Sequence, residues 1–228
     1  IVSMLPLKAG PSEGFGIAFS GGVDSLVLAH SLRKFKPTLY HFNHRLIEED
    51  WYIERKAKKV AQTLKLPFVV GHARETFKKG STEAWCREQR YNWLKTIGGV
   101  VATAHNLSEA TESYLMNCFK GCPDYTPIPL QTTFGLTTVV RPLILVPKHE
   151  IVQYARKHKL QDLVIEDPLN GDLTRQRNWV RQVLLPQIES RVNIEKVVKK
   201  KYLQLLQKCM QFCHRIGSQK AACLLLCC

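Results

Sequence analysis

Residues 15–30 read Phe-Gly-Ile-Ala-Phe-Ser-Gly-Gly-Val-Asp-Ser-Leu-Val-Leu-Ala-His. Phe15, Ile17 and Phe19 alternate as the apolar positions of a strand do. Ser20-Gly21-Gly22 breaks that pattern, and Val23, Leu26, Val27 and Leu28 open a helix-like apolar stretch. Two glycines between a strand and a helix let the backbone approach a ligand closely. The free amides of the helix start, with the helix dipole, favour an anion there. The hydroxyls of Ser20 and Ser25 add donors. The stretch therefore reads as a phosphate cradle, with a plain strand-to-helix turn as the alternative. It is not a Walker A loop, because no Lys-Ser/Thr follows the glycines.

Outward from this stretch, strands and helices alternate. Strands are expected over 38–42, 67–70, 99–103 and 137–140. Helices are expected over about 48–64, 81–96, 108–120 and 148–158. That alternation implies an α/β fold, a parallel sheet with helices on both faces, and ligands in such sheets bind at the carboxyl ends of the strands. From Val198 the apolar residues Tyr202, Leu205, Cys209, Phe212 and Ile216 mark one face of a further helix. Lys199, Lys200 and Lys201 lie mostly away from its centre. The expected division is a catalytic domain over 1–186 and a short basic helical tail over 187–228.

A chain of 228 residues with 45% hydrophobic content can build a sizeable core. Its net charge is +14, and the segment from Lys196 onward carries seven Lys/Arg and no Asp or Glu. Such a balance points to an anionic partner, nucleic acid before membrane, against a merely soluble basic protein. The eight cysteines sit in a chain too long for a disulfide-stapled mini-fold, and their spacings do not suit zinc. A reducing compartment is expected. No signal peptide or membrane span is legible. The start at Ile1 fits a processed, truncated or unusually started chain.

Further constellations fall at the same sheet edge. His41-Phe42-Asn43-His44 ends the second strand, and Glu83-x-x-x-Arg87-x-x-Arg90-Tyr91 puts two guanidiniums on one helical face. Thr103-Ala104-His105-Asn106 ends the fourth strand and opens a helix carrying Glu109 and Glu112. Asn106 with Glu109 also fits a capping box, so Glu109 has a purely structural alternative. Asp167-Pro168-Leu169-Asn170 precedes Arg177-Asn178-x-x-Arg181.

The set Ser-Gly-Gly-x-Asp-Ser, from Ser20 to Ser25, resembles the pyrophosphate-loop (PP-loop) signature of the ATP pyrophosphatases. The order of the remaining motifs is more specific. His-x-Asn-His, Glu-x-x-x-Arg-x-x-Arg-Tyr, Thr-Ala-His, Glu-x-x-Glu, Arg141-Pro142-Leu143 and Arg-Asn-x-x-Arg together resemble the tRNA(Ile)-lysidine synthases, from about Phe15 to Pro186. The sequence departs from that family at Asn106, where a second His is usual, and at Ser108-Glu109, where Asp-Asp is usual. It also departs at Leu169, at Cys122 to Pro129, and in the shortness of the segment after Pro186.

The resemblance implies an ATP-dependent ligase that joins free lysine to C2 of the wobble cytidine of a tRNA(Ile) with a CAU anticodon. The products would be lysidine, AMP and pyrophosphate, formed through an adenylated tRNA. It implies that Ser20, Gly21, Gly22, Val23, Asp24, Ser25, His41, Asn43 and His105 bind ATP, and that Asp24 holds Mg²⁺. Asp24, Glu109 and Glu112 would hold the lysine ammonium and relay its proton, and Arg87 or Arg90 would clamp the α-phosphate. Arg141, Arg177, Arg181, Lys199, Lys200 and Lys201 would meet tRNA. A bacterial cytoplasm or a plastid stroma is the implied location, with oligomeric state open, a homodimer included. The alternatives are a tRNA thiolase of the same superfamily, some of which have Lys at the position of Val23, and a non-catalytic RNA-binding relic.

Overall fold

The computed structural model describes residues 15–122, 128–166 and 175–215, and of 209–215 only the backbone. The chain runs β1 (Phe15–Ala18), α1 (Val23–Leu32), β2 (Thr38–Asn43), α2 (Glu49–Leu64), β3 (Phe68–His72), α3 (Thr82–Leu94), β4 (Gly99–Ala102) and α4 (Leu107–Phe119). Then follow β5 (Gln131–Phe134), β6 (Thr137–Val140), α5 (Lys148–Lys157), α6 (Gln176–Trp179), a π-helical turn (Val180–Leu184), α7 (Leu185–Glu189) and α8 (Ile194–Arg215). The segment Asp167 to Asn170 and Ile216 lie outside the described residues, as do the side chains of Cys209 and Phe212.

Six strands form one sheet in the order β3-β2-β1-β4-β6-β5. All neighbours are parallel except the β5–β6 pair. The sheet alternates as a doubly covered one must. Ile17, Leu39, Ala102 and Val140 enter the core shared with Leu26, Leu28 and Ile151 of the helices on one face. Val101, with Ala18 and Tyr40, packs against Tyr91 and Leu94 of α3 on the other. The order in which strands are added reverses at β1, whose parallel neighbours are β2 on one side and β4 on the other, so the loops after β1 and β4 face each other across a switch point.

β5 was not expected from the sequence. Gln-Thr-Thr-Phe offers one apolar side chain in four residues, too little for a period-2 signal. An antiparallel edge strand needs no more, since it is joined to β6 by a two-residue turn with Gly135 at φ 55° and anchored by Phe134 against the ring of Tyr91. The tail helix begins at Ile194. Val198 and Tyr202 are buried against Leu107 and Ala110 of α4, and the Tyr202 hydroxyl donates to the Ile128 carbonyl at 2.6 Å. The expected apolar stripe therefore docks at its first two positions, Val198 and Tyr202.

Candidate active site at the sheet edge

The loop between β1 and α1 is tied by its own hydroxyls. Ser25 Oγ accepts from the Gly21 amide at 3.1 Å and donates to the Gly22 carbonyl at 3.0 Å, and Ser20 Oγ accepts from the Gly22 amide at 3.3 Å. Gly21 has φ 91°, and a Cβ there would meet Ile165 Cδ1 at 2.5 Å. The Ile165 amide in turn donates to the Gly21 carbonyl at 3.0 Å. Gly22 is the N-cap of α1 and supplies no side-chain cap. The amides of Val23, Asp24 and Ser25 are thus left for a ligand at the positive end of the helix dipole. Ser20 and Ser25 shape the cradle as well as lining it.

Asp24 stands one residue into this helix and is the hub of the site. Asn106, at the start of α4 across the switch point, donates from Nδ2 to Asp24 Oδ1 at 3.2 Å. Its Oδ1 meanwhile accepts from the Glu109 amide at 3.0 Å, and Glu109 Oε2 accepts from the Asn106 amide at 3.3 Å. The capping box is real, and the residue that closes it also bridges β1 and β4. Lys148 Nζ lies 2.7 and 2.6 Å from the two Asp24 oxygens. Sequence reasoning missed Lys148. A signal was present: it is the first residue of α5, where the helix dipole disfavours a cation unless an anion holds it.

Glu109 is crowded by burial and by the charges of Asp24 and Glu112, which push its carboxyl up to about 7. It therefore stands ready to take or give a proton near neutrality. Glu112, expected to receive an ammonium group, is almost fully buried and closed on Arg181. The Arg181 Nε reaches Oε1 at 2.6 Å and Nη2 reaches Oε2 at 3.0 Å. The π-helical turn over Val180–Leu184 carries Arg181 opposite α4, so Glu112, expected to hold an ammonium group, and Arg181, expected to meet tRNA, face each other as an ion pair in which the Arg181 side chain stays 39% exposed.

His105 ends β4 with Nδ1 2.9 Å from Thr103 Oγ1. Burial, reinforced by Arg141, Arg90, Arg87 and Arg177, drives its pKa down to about 3, so the imidazole is neutral. Arg87 and Arg90 lie over the ring of Tyr91, at 4.8 and 6.0 Å. Arg141 is buried and donates to the Pro129 carbonyl at 2.8 Å and Thr132 Oγ1 at 3.0 Å. The Nε atoms of Arg141 and Arg177 are buried with no hydrogen-bond partner among the described residues. Four guanidiniums act electrostatically on this neutral histidine, two of them with an unused donor, and such a set suits a phosphate-bearing ligand.

Two expected ligand residues, His41 and Asn43, are tied to the framework. His41 is buried, with Nδ1 2.9 Å from the Phe19 carbonyl, and burial lowers its pKa. Asn43 Nδ2 donates to Glu54 Oε2 at 2.7 Å, and its Oδ1 accepts from the Arg45 amide at 2.8 Å. Both lock the backbone behind the cradle. Among the tail lysines, Lys200 is exposed and Lys199 half-buried. Lys201 packs over the ring of Tyr114 at 4.6 Å, held to the domain rather than projecting from it. No described helix is long and apolar enough to cross a membrane.

For Mg²⁺ the fit is specific but minimal. No group of three or more His, Cys, Asp or Glu that could hold a metal occurs among the described residues. Mg²⁺ is commonly held by one or two carboxylates together with substrate phosphates, and Asp24 beside the uncapped amides matches that donor set.

A model of the PP-loop domain matches residues 5–188. The chain belongs to this family. Curated relatives include the tRNA(Ile)-lysidine synthase of Serratia proteamaculans, 31% identical over 203 residues, and that of Actinobacillus pleuropneumoniae serotype 3, 32% identical over 189. These alignments cover 83% and 78% of the chain but only 46% and 44% of the relatives. The PP-loop chain thus spans less than half the length of the curated relatives it matches. Among solved structures, the U34-tRNA thiolase NcsA from Methanococcus maripaludis with its [4Fe-4S] cluster superposes with a TM-score of 0.68 at 16% identity. That superposition covers 86% of this chain and 73% of that one. The likeness extends to the fold.

Proposed function

We propose that this PP-loop protein ligates free lysine to C2 of the wobble cytidine of a tRNA(Ile) with a CAU anticodon, consuming ATP and releasing AMP and pyrophosphate. The observation that carries the reading is the placement of the uncapped α1 amides, the near-neutral carboxyl of Glu109 and the neutral His105 under the field of four arginines along one sheet edge. The relatives named tRNA(Ile)-lysidine synthase support it.

The cytosine C2 oxygen leaves poorly until it is adenylated. The amides of α1 and the hydroxyl of Ser20 would hold the pyrophosphate portion of ATP. Arg87 and Arg90 would face the α-phosphate, where negative charge builds in the transition state. Asp24 would hold Mg²⁺, which when bound supplies charge neutralisation for the departing pyrophosphate. Lysine must attack as a neutral amine although it arrives protonated. Glu109, with a pKa of about 7, can accept that proton, whereas a carboxyl at its ordinary value is a weaker base. Glu112 and Arg181 hold α4 and the π-helical turn in register around Glu109. Residues 1–186 would form the catalytic unit and 187–228 a basic arm, with Lys199, Lys200 and Arg177 facing tRNA phosphates.

The test is mass spectrometry of tRNA(Ile) transcript incubated with the protein, ATP and lysine. Conversion of one cytidine to lysidine, dependent on both small molecules and abolished by Asp24→Ala, is the expected result. An unmodified tRNA with no AMP released refutes the assignment.

A further inference from the structure

α2 turns Ala57, Val60 and Ala61 into the core. Its other side is open, and from Trp51 to Lys65 every exposed charged residue is a cation: Arg55, Lys56, Lys58, Lys59 and Lys65. Helical spacing sets Trp51, Arg55 and Lys58 in one row and Tyr52, Lys56 and Lys59 in the next. No carboxylate stands three or four residues before Arg55, Lys56 or Lys59. The one before Lys58, Glu54, is held by Asn43 Nδ2 and His72 Nε2. Arg55, Lys56, Lys58 and Lys59 form no ion pair among the described residues. Glu48 and Glu49 are confined to the helix start, where the dipole favours them.

Two large aromatic rings stand at the first turn of this face. Trp51 is 45% exposed and Tyr52 52%. Each ring holds a cation: Arg45 Cζ lies 5.4 Å from the Trp51 centroid and Lys56 Nζ 4.4 Å from that of Tyr52. Arg45 reaches its ring from a left-handed backbone, φ 56°, with its amide donating to Asn43 Oδ1 at 2.8 Å. Cations fixed on rings lose less freedom when they meet a phosphate. Because α2 follows β2, the neighbour of β1, its first turn lies at the same sheet edge as the cradle. Aromatic rings at the site end and cations running away from it fit a nucleic acid strand, with bases stacked and phosphates paired. A bilayer is a poorer match, since it needs an apolar helix face and that of α2 is buried.

We infer that the outer face of α2 is an RNA-docking surface. Unpaired bases of the anticodon loop beside the reacting cytidine stack on Trp51 and Tyr52, while Arg55, Lys56, Lys58 and Lys59 take the flanking phosphates. The inference rests on the assignment of a tRNA substrate. It adds to the catalytic unit a contact surface separate from the basic arm of α8, and it accounts for two exposed aromatic rings that the core does not use.

The experiment titrates the full chain with a tRNA(Ile) transcript, and with its isolated anticodon stem-loop, in the absence of ATP and lysine. Arg55→Ala, Lys58→Ala and Lys59→Ala together should reduce the salt slope of binding by about 2–3 units, at about 0.7–0.9 per lost phosphate contact. Trp51→Leu with Tyr52→Leu should weaken binding about 5- to 150-fold, the range for one lost base–aromatic stack, with the salt slope unchanged. Trp51→Phe with Tyr52→Phe should recover most of that loss. Tyr52→Leu alone carries the test if the double variant does not fold. Both RNAs should show these losses. An unchanged slope in the triple variant, or unchanged affinity in the leucine variants, overturns the inference. So does a loss seen only with phosphatidylserine vesicles, which makes the face a membrane contact. A protein that forms no lysidine yet shows these losses refutes the ligase assignment alone. One that forms lysidine without them refutes the docking surface alone.

Discussion

Glu109→Gln offers a test in which the sign of a pH effect is fixed by the geometry. The folded environment raises this carboxyl from 4.5 to about 7, through burial first and the charges of Asp24 and Glu112 second. Between those two values the folded protein holds a proton that the unfolded chain has released, so stability falls as pH rises through the window. The full shift corresponds to roughly 3 kcal/mol. Glutamine occupies the same volume and can still accept from the Asn106 amide as a capping-box partner, but it carries no charge. Urea unfolding of wild type and variant should give equal stabilities near pH 4.5. The variant should gain progressively up to about pH 7 and keep an advantage of about 2–3 kcal/mol at pH 8. A difference that is constant with pH, or that grows toward acid, would refute the assignment of a strained carboxylate to Glu109. The same variant should lower single-turnover lysidine formation more at pH 7 than it weakens ATP binding, if Glu109 takes the lysine proton.

Arg181→Ala leaves Glu112 as a buried, uncompensated charge and should destabilise the protein by about 3 kcal/mol in thermal or urea unfolding. Adding Glu112→Gln should restore part of that loss. Gly21→Ala and Gly22→Ala should separate sharply. The first combines φ 91° with an Ile165 contact at 2.5 Å and should cost about 1–3 kcal/mol with loss of nucleotide binding. The second meets nothing closer than Ser20 Oγ at 3.5 Å and should stay folded. Lys199→Ala with Lys200→Ala should reduce the salt slope of tRNA binding by about 1.5 units, measured by filter binding, and leave ATP affinity unchanged.

How far the sequence reaches into this site is clearest at Asn106. Its place before a helix, with Glu109 three residues on, made the capping box readable, because capping is a local interaction set by spacing along the chain. That its amide also crosses to Asp24 depends on β1 and β4 being neighbours, which is a matter of sheet order. The strand-loop-helix of residues 15–30, the alternation of strands and helices and the docking of Val198 and Tyr202 on α8 were legible for the same local reason. Periodicity records which face of each element meets a core. β5 was not legible, since its place is set by pairing with β6 and by Phe134 against Tyr91, and its own residues are mostly polar.

Charge partners lay beyond local pattern altogether. Glu112 and Arg181, the two ends of one bidentate pair, are 69 residues apart. Lys148 and Asp24 are 124 apart. The sequence named Glu112, Arg181 and Asp24 as chemically capable, and it determined the fold class and the sheet edge where they gather. Only the tertiary structure decided which of them face each other. A carboxylate's role is set by the charge brought within a few ångströms of it, and that distance is fixed by the packing of α4, α5 and the π-helical turn rather than by the residue's neighbours in the chain.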